Sequence, residues 1–380
     1  MPLKNMPPKA LFIASTGQHV GKTTTCLGIF SGLQKRYGKI SYIKPIGQQH
    51  VKTEGGLNVD KDVILFRDQF QLTDPPQHMS PVLFPKGFTR DYLDGKIDEK
   101  DLRKRIQTSY HYLTRSNECL VIEGTGHVGV GSIVNINNAE VAALLDTKVI
   151  IVASGGLGSS FDAMTLNKIA CDNLSVPVAG VILNRVLPEK RNMIIKYMTK
   201  ALSRWNIPLL GCIPYDPFLS NLCMQDFAQL FQTTLIAGKE HKFRHFEKQR
   251  LIATSVERYR ELISSSQLII TPAIRDDIIL ATLSKHWEIK IQNPQDDLSC
   301  GLILTGRQPP RKEIMQEIIK ANIPTLYVTK SSYEAMEMIT SYTAKLRFED
   351  HEKIDEAIDL VESHIDFELL EKAVFHQEKK

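Results

Sequence analysis

The chain has no apolar run close to the roughly 20 residues that span a bilayer, which excludes a transmembrane helix. A secretory leader is not expected: M-P-L-K-N-M-P-P-K is followed by one apolar run that leads straight into a glycine loop and lacks a cleavage site. Low-complexity tracts and internal repeats linking the two halves are also missing. Net charge is only +4 and diffuse, which argues against a nucleic-acid partner. The six cysteines, Cys26, Cys119, Cys171, Cys212, Cys223 and Cys300, form no C-x-x-C pair and sit mostly in apolar surroundings. They read as reduced core thiols, and the chain as a cytoplasmic protein with neither membrane nor nucleic acid as partner.

What is present is the composition of a soluble globular protein, 42% hydrophobic and 24% charged, in 380 residues, enough for two domains. A-L-F-I-A (10–14) is a short apolar run before the glycine loop; a helical stretch follows it, closed by Gly38, and I-S-Y-I-K-P-I reads as the next strand. Strand, loop, helix and strand in about 35 residues make a βαβ unit and set the fold class as α/β. Further strand-like runs lie at 118–124, 148–156, 177–186 and 208–214. Their near-continuous Val, Ile and Leu predict a parallel sheet covered on both faces. Residues 50–115, more polar, read as a helical and loop excursion over the top of that sheet. The segment 239–250 carries five Lys/Arg against two Glu and reads as a basic linker. Beyond it a second α/β pattern has strands at 268–272, 299–306 and 323–329, and an amphipathic stretch at 351–373 completes it. The expected division is therefore 1–238, a linker at 239–250, and 251–380.

The chemistry centres on S-T-G-Q-H-V-G-K-T-T (15–24). A loop passing from strand to helix aims several backbone N–H groups at one point, and the helix dipole adds positive charge there. Gly17, Gln18, His19, Val20, Gly21, Lys22, Thr23 and Thr24 are thus the expected nucleotide-binding residues. Lys22 bridges the outer phosphates, and the Thr23 hydroxyl is placed to hold Mg²⁺. Magnesium takes oxygen ligands, so carboxylates should converge on Thr23. Glu123, ending a buried strand, and Asp62, opening a helical run, are the candidates; Asp60 competes, and a helix cap is the alternative for either. Lys44, at a strand end, is placed to neutralise charge on a transferring phosphoryl group. The second glycine-rich loop, E-G-T-G-H-V-G-V-G-S (123–132), is expected to line an acceptor pocket, with His127 as a base or simply a loop residue. Asn184 is either a strand-end amide that pairs with a base edge or a turn residue.

G-Q-H-V-G-K-T, I-K-P-I-G, V-I-E-G-T-G, A-G-V-I-L-N-R-V and L-L-G-C-I-P-Y-D-P occur in the order found in dethiobiotin synthetase. The chain resembles that family over roughly residues 8–220, and more closely the dethiobiotin-synthetase-like amino-terminal region of long bacterial phosphotransacetylases. The family's phosphate loop has one extra residue between its glycines, which matches the spacing here, with Ser15 in the place of the first glycine. The resemblance implies a P-loop NTPase fold: a mostly parallel sheet flanked by helices, with ATP and Mg²⁺ as cofactors. It places Lys22 and Lys44 as the phosphate-contacting, catalytic lysines, Thr23, Asp62 and Glu123 at the metal, and Asn184 at adenine. T-P-A-I-R-D-D-I-I-L-A (271–281) and L-I-L-T-G-R (302–307) resemble a DRTGG domain, a smaller second α/β domain. Ala273, Ile274 and Arg307 depart from its pattern, while Arg275, Asp277, Thr305 and Gly306 remain. An acetyl-transfer domain would need several hundred further residues, and the sequence given ends without one.

Two functions follow from the resemblance. One is ATP-dependent phosphoryl activation of a carboxylate or carbamate, of the synthetase or ligase type, with a small-molecule carboxylate or amine as substrate. The other is a nucleotide-responsive regulatory protein with a small-molecule effector. A chromosome- or cell-division-type ATPase fits less well, since such proteins carry a signature lysine early in the loop, where Ser15 and Thr16 stand. The resemblance also implies a homodimer.

Overall fold

The computed structural model describes residues 9–343 and 346–376. The chain divides into two compact units, residues 1–215 with 346–380, and residues 216–345.

In the first unit β1 (Lys9–Ser15) runs into α1 (Lys22–Gln34), and β2 (Ile40–Ile43) follows. An excursion then carries β3 (Ile46–Gly47), the hairpin of β4 (His50–Lys52) and β5 (Asn58–Asp60), α2 (Lys61–Phe70), α3 (Pro76–Met79), β6 (Val82–Leu83), α4 (Phe88–Leu93) and α5 (Glu99–Ser116). The chain returns through β7 (Cys119–His127), α6 (Asn138–Leu144), β8 (Val149–Ser154), α7 (Gly158–Asp172), β9 (Val178–Val186), α8 (Arg191–Leu202) and β10 (Leu209–Pro214). Among the described residues β10-β9-β8-β1-β7-β2 form one sheet in that order, all parallel. The chain moves to one side of β1 for β2 and β7 and to the other for β8, β9 and β10. That reversal places the loop after β1 at the switch point, where open α/β sheets bind ligands.

The second unit contains α9 (Pro217–Ser220), α10 (Met224–Leu230), β11 (Lys248–Leu251), α11 (Val256–Leu262), β12 (Gln267–Pro272), α12 (Asp276–Gln292), β13 (Gly301–Thr305), α13 (Lys312–Ala321), β14 (Thr325–Val328) and α14 (Ser332–Ser341). Its sheet runs β11-β12-β13-β14, again all parallel. Ile269, Leu302 and Leu304 pack towards α11, α12 and α13, while Leu268, Ile270 and Ile303 pack towards α10 and α14. Both faces are covered, so these strands read as unbroken apolar runs rather than alternating ones.

Two of the expected boundaries are corrected. Residues 239–250 are not a linker, because Lys248–Leu251 pairs in parallel register with Gln267–Ile270 as the edge strand β11. An edge strand half open to solvent tolerates the charge that made this segment look unstructured. The amphipathic stretch at the end of the chain, α15 (His351–Glu362) and α16 (Phe367–Phe375), belongs to the first unit and not to the second. Its apolar face lies on α1, whose Gly28 and Gly32 let it approach closely. A Cβ on Gly28 would sit 2.4 Å from Val361 Cβ, and one on Gly32 2.0 Å from the Phe367 ring. The Glu362 carboxylate accepts from Ser31 at 3.0 Å and pairs with Lys35, and Glu371 accepts from the Tyr37 hydroxyl at 2.7 Å. Between the two helices Ile365 bridges Gly211 antiparallel, so the return also covers the exposed edge of β10.

All six cysteines are buried and none is in a disulfide among the described residues. No helix among those residues is long and apolar enough to cross a membrane.

Candidate functional site

The loop after β1 is shaped by two left-handed residues, His19 at φ 59° and Gly21 at φ 87°. Gly21 is required twice over, because a Cβ there would also stand 2.1 Å from the Asn184 amide nitrogen. α1 then starts at Lys22 with no side chain capping it, so its first N–H groups have no intrahelical acceptor and face the loop's concavity. Ser15, in the place of the first glycine, is buried at the end of β1. Its hydroxyl lies 2.9 Å from the carbonyls of both Gly17 and Gly126, tying the first glycine loop to the second.

Around this loop the structure gathers a buried set of charges. The Thr23 hydroxyl donates to Glu123 Oε1 at 2.9 Å, and Lys22 Nζ stands 3.8 Å from the same oxygen. Lys44 Nζ contacts Asp62 and lies 3.3 Å from Asp60 and 3.7 Å from Glu123. Two ammonium groups therefore face three carboxylates, all nearly closed to solvent. Burial pushes the Lys22 pKa down, with Glu123 opposing the shift and Lys44 adding to it. For Lys44 burial acts the same way, but Asp62, Glu123 and Asp60 together outweigh it and hold the ammonium form firmly. Asp62 is buried too, yet Lys44 and Lys61 keep its carboxyl below the usual range. Asp60 goes the other way: burial raises it, with only part of the shift offset by Lys44.

Sequence reasoning left open whether Asp60 or Asp62 caps the helix, and the geometry separates them. Asp60 Oδ1 accepts from the Asp62 N–H at 3.0 Å as the cap of α2, and its Oδ2 accepts from Gln48 and Gln49. Asp62 has its carboxylate turned to Lys44. The oxygen donors Thr23, Glu123 and Asp62 are of the hard type that Mg²⁺ takes, and the three acids already converge on one positive charge, Lys44. These residues fit a divalent cation.

Asn184 is brought to the loop but is engaged there. Its amide nitrogen donates to the Val20 carbonyl at 2.9 Å, its oxygen accepts from the Arg185 N–H at 2.9 Å, and it is 4% exposed. It holds the loop in place rather than presenting a free edge. His127 is exposed, and its Nδ1 accepts from the Gly129 N–H at 3.1 Å. That bond engages Nδ1 within its own loop. Gln18 and His19 are exposed, and Gly17 and Thr24 are half-buried.

Several residues of the site escaped the sequence. The Tyr42 hydroxyl, fully buried, donates to Glu123 Oε2 at 2.8 Å while its ring stacks on Phe66 at 3.8 Å. Arg185 adopts a left-handed φ of 58° and donates to the His19 carbonyl at 3.0 Å. Asn138 pins the end of β7, accepting from Thr125 N at 2.9 Å and donating to the carbonyls of Thr125 and His127. An aromatic in an apolar strand and an asparagine after a loop carry no sequence signal for such roles.

A glycine loop between strand and helix at the switch point of a parallel sheet, with Lys and Thr opening the helix, defines a P-loop NTPase domain, a fold that implies nucleotide binding. Residues 9–222 match the family described as an AAA domain, and residues 226–342 that described as a DRTGG domain. The chain belongs to this P-loop AAA family and carries a DRTGG domain behind it. It is 27% identical over 383 residues to a phosphate acetyltransferase of Pseudomonas aeruginosa, covering 95% of this chain and 51% of that protein. A phosphate acetyltransferase of Pseudomonas putida is 28% identical over 375 residues, covering 94% and 51%. The chain spans about half the length of these curated relatives, matching their amino-terminal region. Among solved structures, the cell division protein MinD of Aquifex aeolicus is similar at 18% identity and a TM-score of 0.36, over 56% of this chain and 84% of that one.

Proposed function

We propose that the chain binds ATP with Mg²⁺ at the loop 15–24 and works as a nucleotide-responsive module, the reading that the engaged state of the site supports best. The observation that carries it is the buried Lys22–Thr23–Glu123–Lys44–Asp62 set, in which every charge has its counter-charge inside the protein. Lys22 and the α1 N-terminus receive the β- and γ-phosphates. Thr23, Glu123 and Asp62 hold the cation, which supplies charge neutralisation across the phosphates. To reach the γ-phosphate, Lys44 exchanges its carboxylate partners for phosphate oxygens, so nucleotide binding rearranges the pairing of α2 with β2. A small-molecule effector of the DRTGG domain is the other input this reading requires.

The second reading is a synthetase of the dethiobiotin type. A carboxylate or carbamate oxygen would attack the γ-phosphorus, ADP would leave, and an amine would then displace phosphate and give up its proton to solvent. Lys22 and Lys44 favour it, since both can spread charge on a transferring phosphoryl group.

Calorimetric titration of the chain with ATP, with and without Mg²⁺, tests the shared core; Lys22→Ala should abolish binding. Phosphate release across carboxylate and amine panels, including 7,8-diaminononanoate with bicarbonate, divides the two readings. Stimulated release that Lys22→Ala removes would establish the synthetase, and binding without turnover the module. No binding with Mg²⁺ present would overturn both.

A further inference from the structure

At the carboxyl edge of the second sheet two helices start with the wrong residue. α12 and α13 begin beside Arg275 and Arg311, and neither has a side chain capping its first N–H groups. Ser, Thr, Asp or Asn is favoured at that position, and a cation there opposes the helix dipole. Arg275 pairs with Asp277, and Arg311 reaches across to Asp276, the first residue of α12. Arg307, in the connection from β13, and Lys312, at the first position of α13, add two further cations, against Glu313 in the first turn of α13. Gly306 opens that connection at φ 108°, and beyond its chain neighbours a Cβ there would meet nothing within 4 Å. The space over this edge of β13 is open.

Two polar atoms at this edge are left over. Thr271, the penultimate residue of β12, is fully buried, and its hydroxyl has no hydrogen-bond partner among the described residues. It follows two residues after Ile269, which packs towards α12 and α13. Alternation along the strand puts its side chain on that same face, at the end where both helices begin. Asp276 gives Oδ2 to Arg311, while its buried Oδ1 has no partner among the described residues. Buried polar atoms are nearly always satisfied, so each orphan points to a group that is missing. The Thr271 hydroxyl takes a donor or an acceptor, whereas the Asp276 oxygen takes only a donor. The uncapped N-termini and the arginines take an anion.

We propose that this edge binds a phosphate ester with free hydroxyl groups, the chemistry shared by sugar phosphates and nucleotides. The phosphate lies over the start of α13, held by its N–H groups, Arg307 and Arg311. A hydroxyl donates to Asp276 Oδ1, and Thr271 forms the floor. A bare anion would leave the Asp276 oxygen unmet, and a neutral sugar would leave the arginines and the helix starts unmet. The proposal names the chemistry of the DRTGG-domain effector and rests, for its purpose, on the nucleotide-responsive reading above.

Calorimetry on the full chain carrying Lys22→Ala, which silences the loop 15–24, tests it with inorganic phosphate, ribose, ribose 5-phosphate and AMP. At least one ester should bind roughly tenfold or more tighter than phosphate or ribose alone. AMP binding tighter than ribose 5-phosphate identifies a nucleotide, and the reverse a sugar phosphate. Arg311→Ala and, separately, Arg307→Ala, both at exposed side chains, should weaken the preferred ester by roughly tenfold. Asp276→Ala should weaken the ester several-fold without weakening inorganic phosphate. Circular dichroism spectra matching the wild type show that the substitutions leave the fold intact. Esters that bind no tighter than phosphate or ribose, or that bind both arginine variants as they bind the parent, would overturn the proposal. Failure of ATP to bind at the loop 15–24 is a separate result, since that loop is silenced throughout these titrations.

Discussion

The two units are built on the same plan, a parallel sheet whose strands feed loops and helices at one edge, and they treat charge there in opposite ways. In the first unit Glu123, Asp60, Asp62 and Lys44 are all buried at that edge. In the second, Arg275 pairs with Asp277 at 2.8 Å and Arg311 with Asp276, and each pair has one side chain more than a third exposed, Asp277 and Arg311. An exposed pair adds little to stability and is screened by salt. A buried set costs several kcal/mol in desolvation per ion and survives only where its geometry is good or its function demands it. The difference marks the candidate site: both sheets are parallel, but the first takes a cluster of opposed charges out of water at that edge while the second leaves its pairs there partly exposed.

The largest expected effect tests that contrast directly. Glu123→Ala removes the shared partner of Lys22, Lys44, Thr23 and Tyr42 and should destabilise the first unit by about 3–5 kcal/mol. Asp277→Ala should cost the second unit less than about 1 kcal/mol. Hydrogen exchange in urea, followed separately in β1 and β12, reads both; equal costs would erase the distinction.

Gly28→Ala comes next. Helix propensity alone would make it stabilising by about 1 kcal/mol. The close approach of Val361 instead predicts a net loss of about 1–3 kcal/mol in the same experiment.

Tyr42→Phe keeps the stack on Phe66 and removes only the hydrogen bond to Glu123. Magnesium-dependent nucleotide binding should weaken several-fold, by about 1 kcal/mol, with metal-free binding unchanged. A calorimetric titration in which both change alike would show that Tyr42 acts on the fold rather than on the carboxylate.

The smallest effect is a pH dependence. Burial lowers the Lys22 pKa in the free protein, and bound phosphates would raise it again. The complex therefore holds its proton to higher pH than the free protein does. Affinity should be flat at neutral pH and fall as pH rises through the free-state pKa, which a nucleotide titration into the alkaline range measures. Rising affinity in that range would contradict the sign.

Much of the first sheet was legible because its strands are covered on both faces and announce themselves as apolar runs between glycines. The loop 15–24 was legible because its constraints are local: a left-handed turn and a helix start written in consecutive residues. Asp62, Glu123 and Lys44 were readable as strand-end and helix-start charges, and the structure brings all three together. What the sequence hid is long-range pairing. The tie from Ser15 to Gly126, the grip of Asn184 on Val20 and the Tyr42–Glu123 bond each join residues some 80 or more positions apart. β11 was hidden by its own charge, a consequence of lying at an edge. The closing helices were assigned by their position in the chain, although their destination was encoded in Gly28 and Gly32 more than 300 residues earlier.

That last contact bears on how the molecule is made. A chain emerging from the ribosome presents the second unit whole before the segment that closes the first has been synthesised. Until residues 351–375 appear, the outer face of α1 and the free edge of β10 stand uncovered, both prone to pairing with the wrong neighbour. Nascent chains stalled between the two units should therefore expose a half-built first unit, and residues 351–375 are those that make α1 and β10 safe.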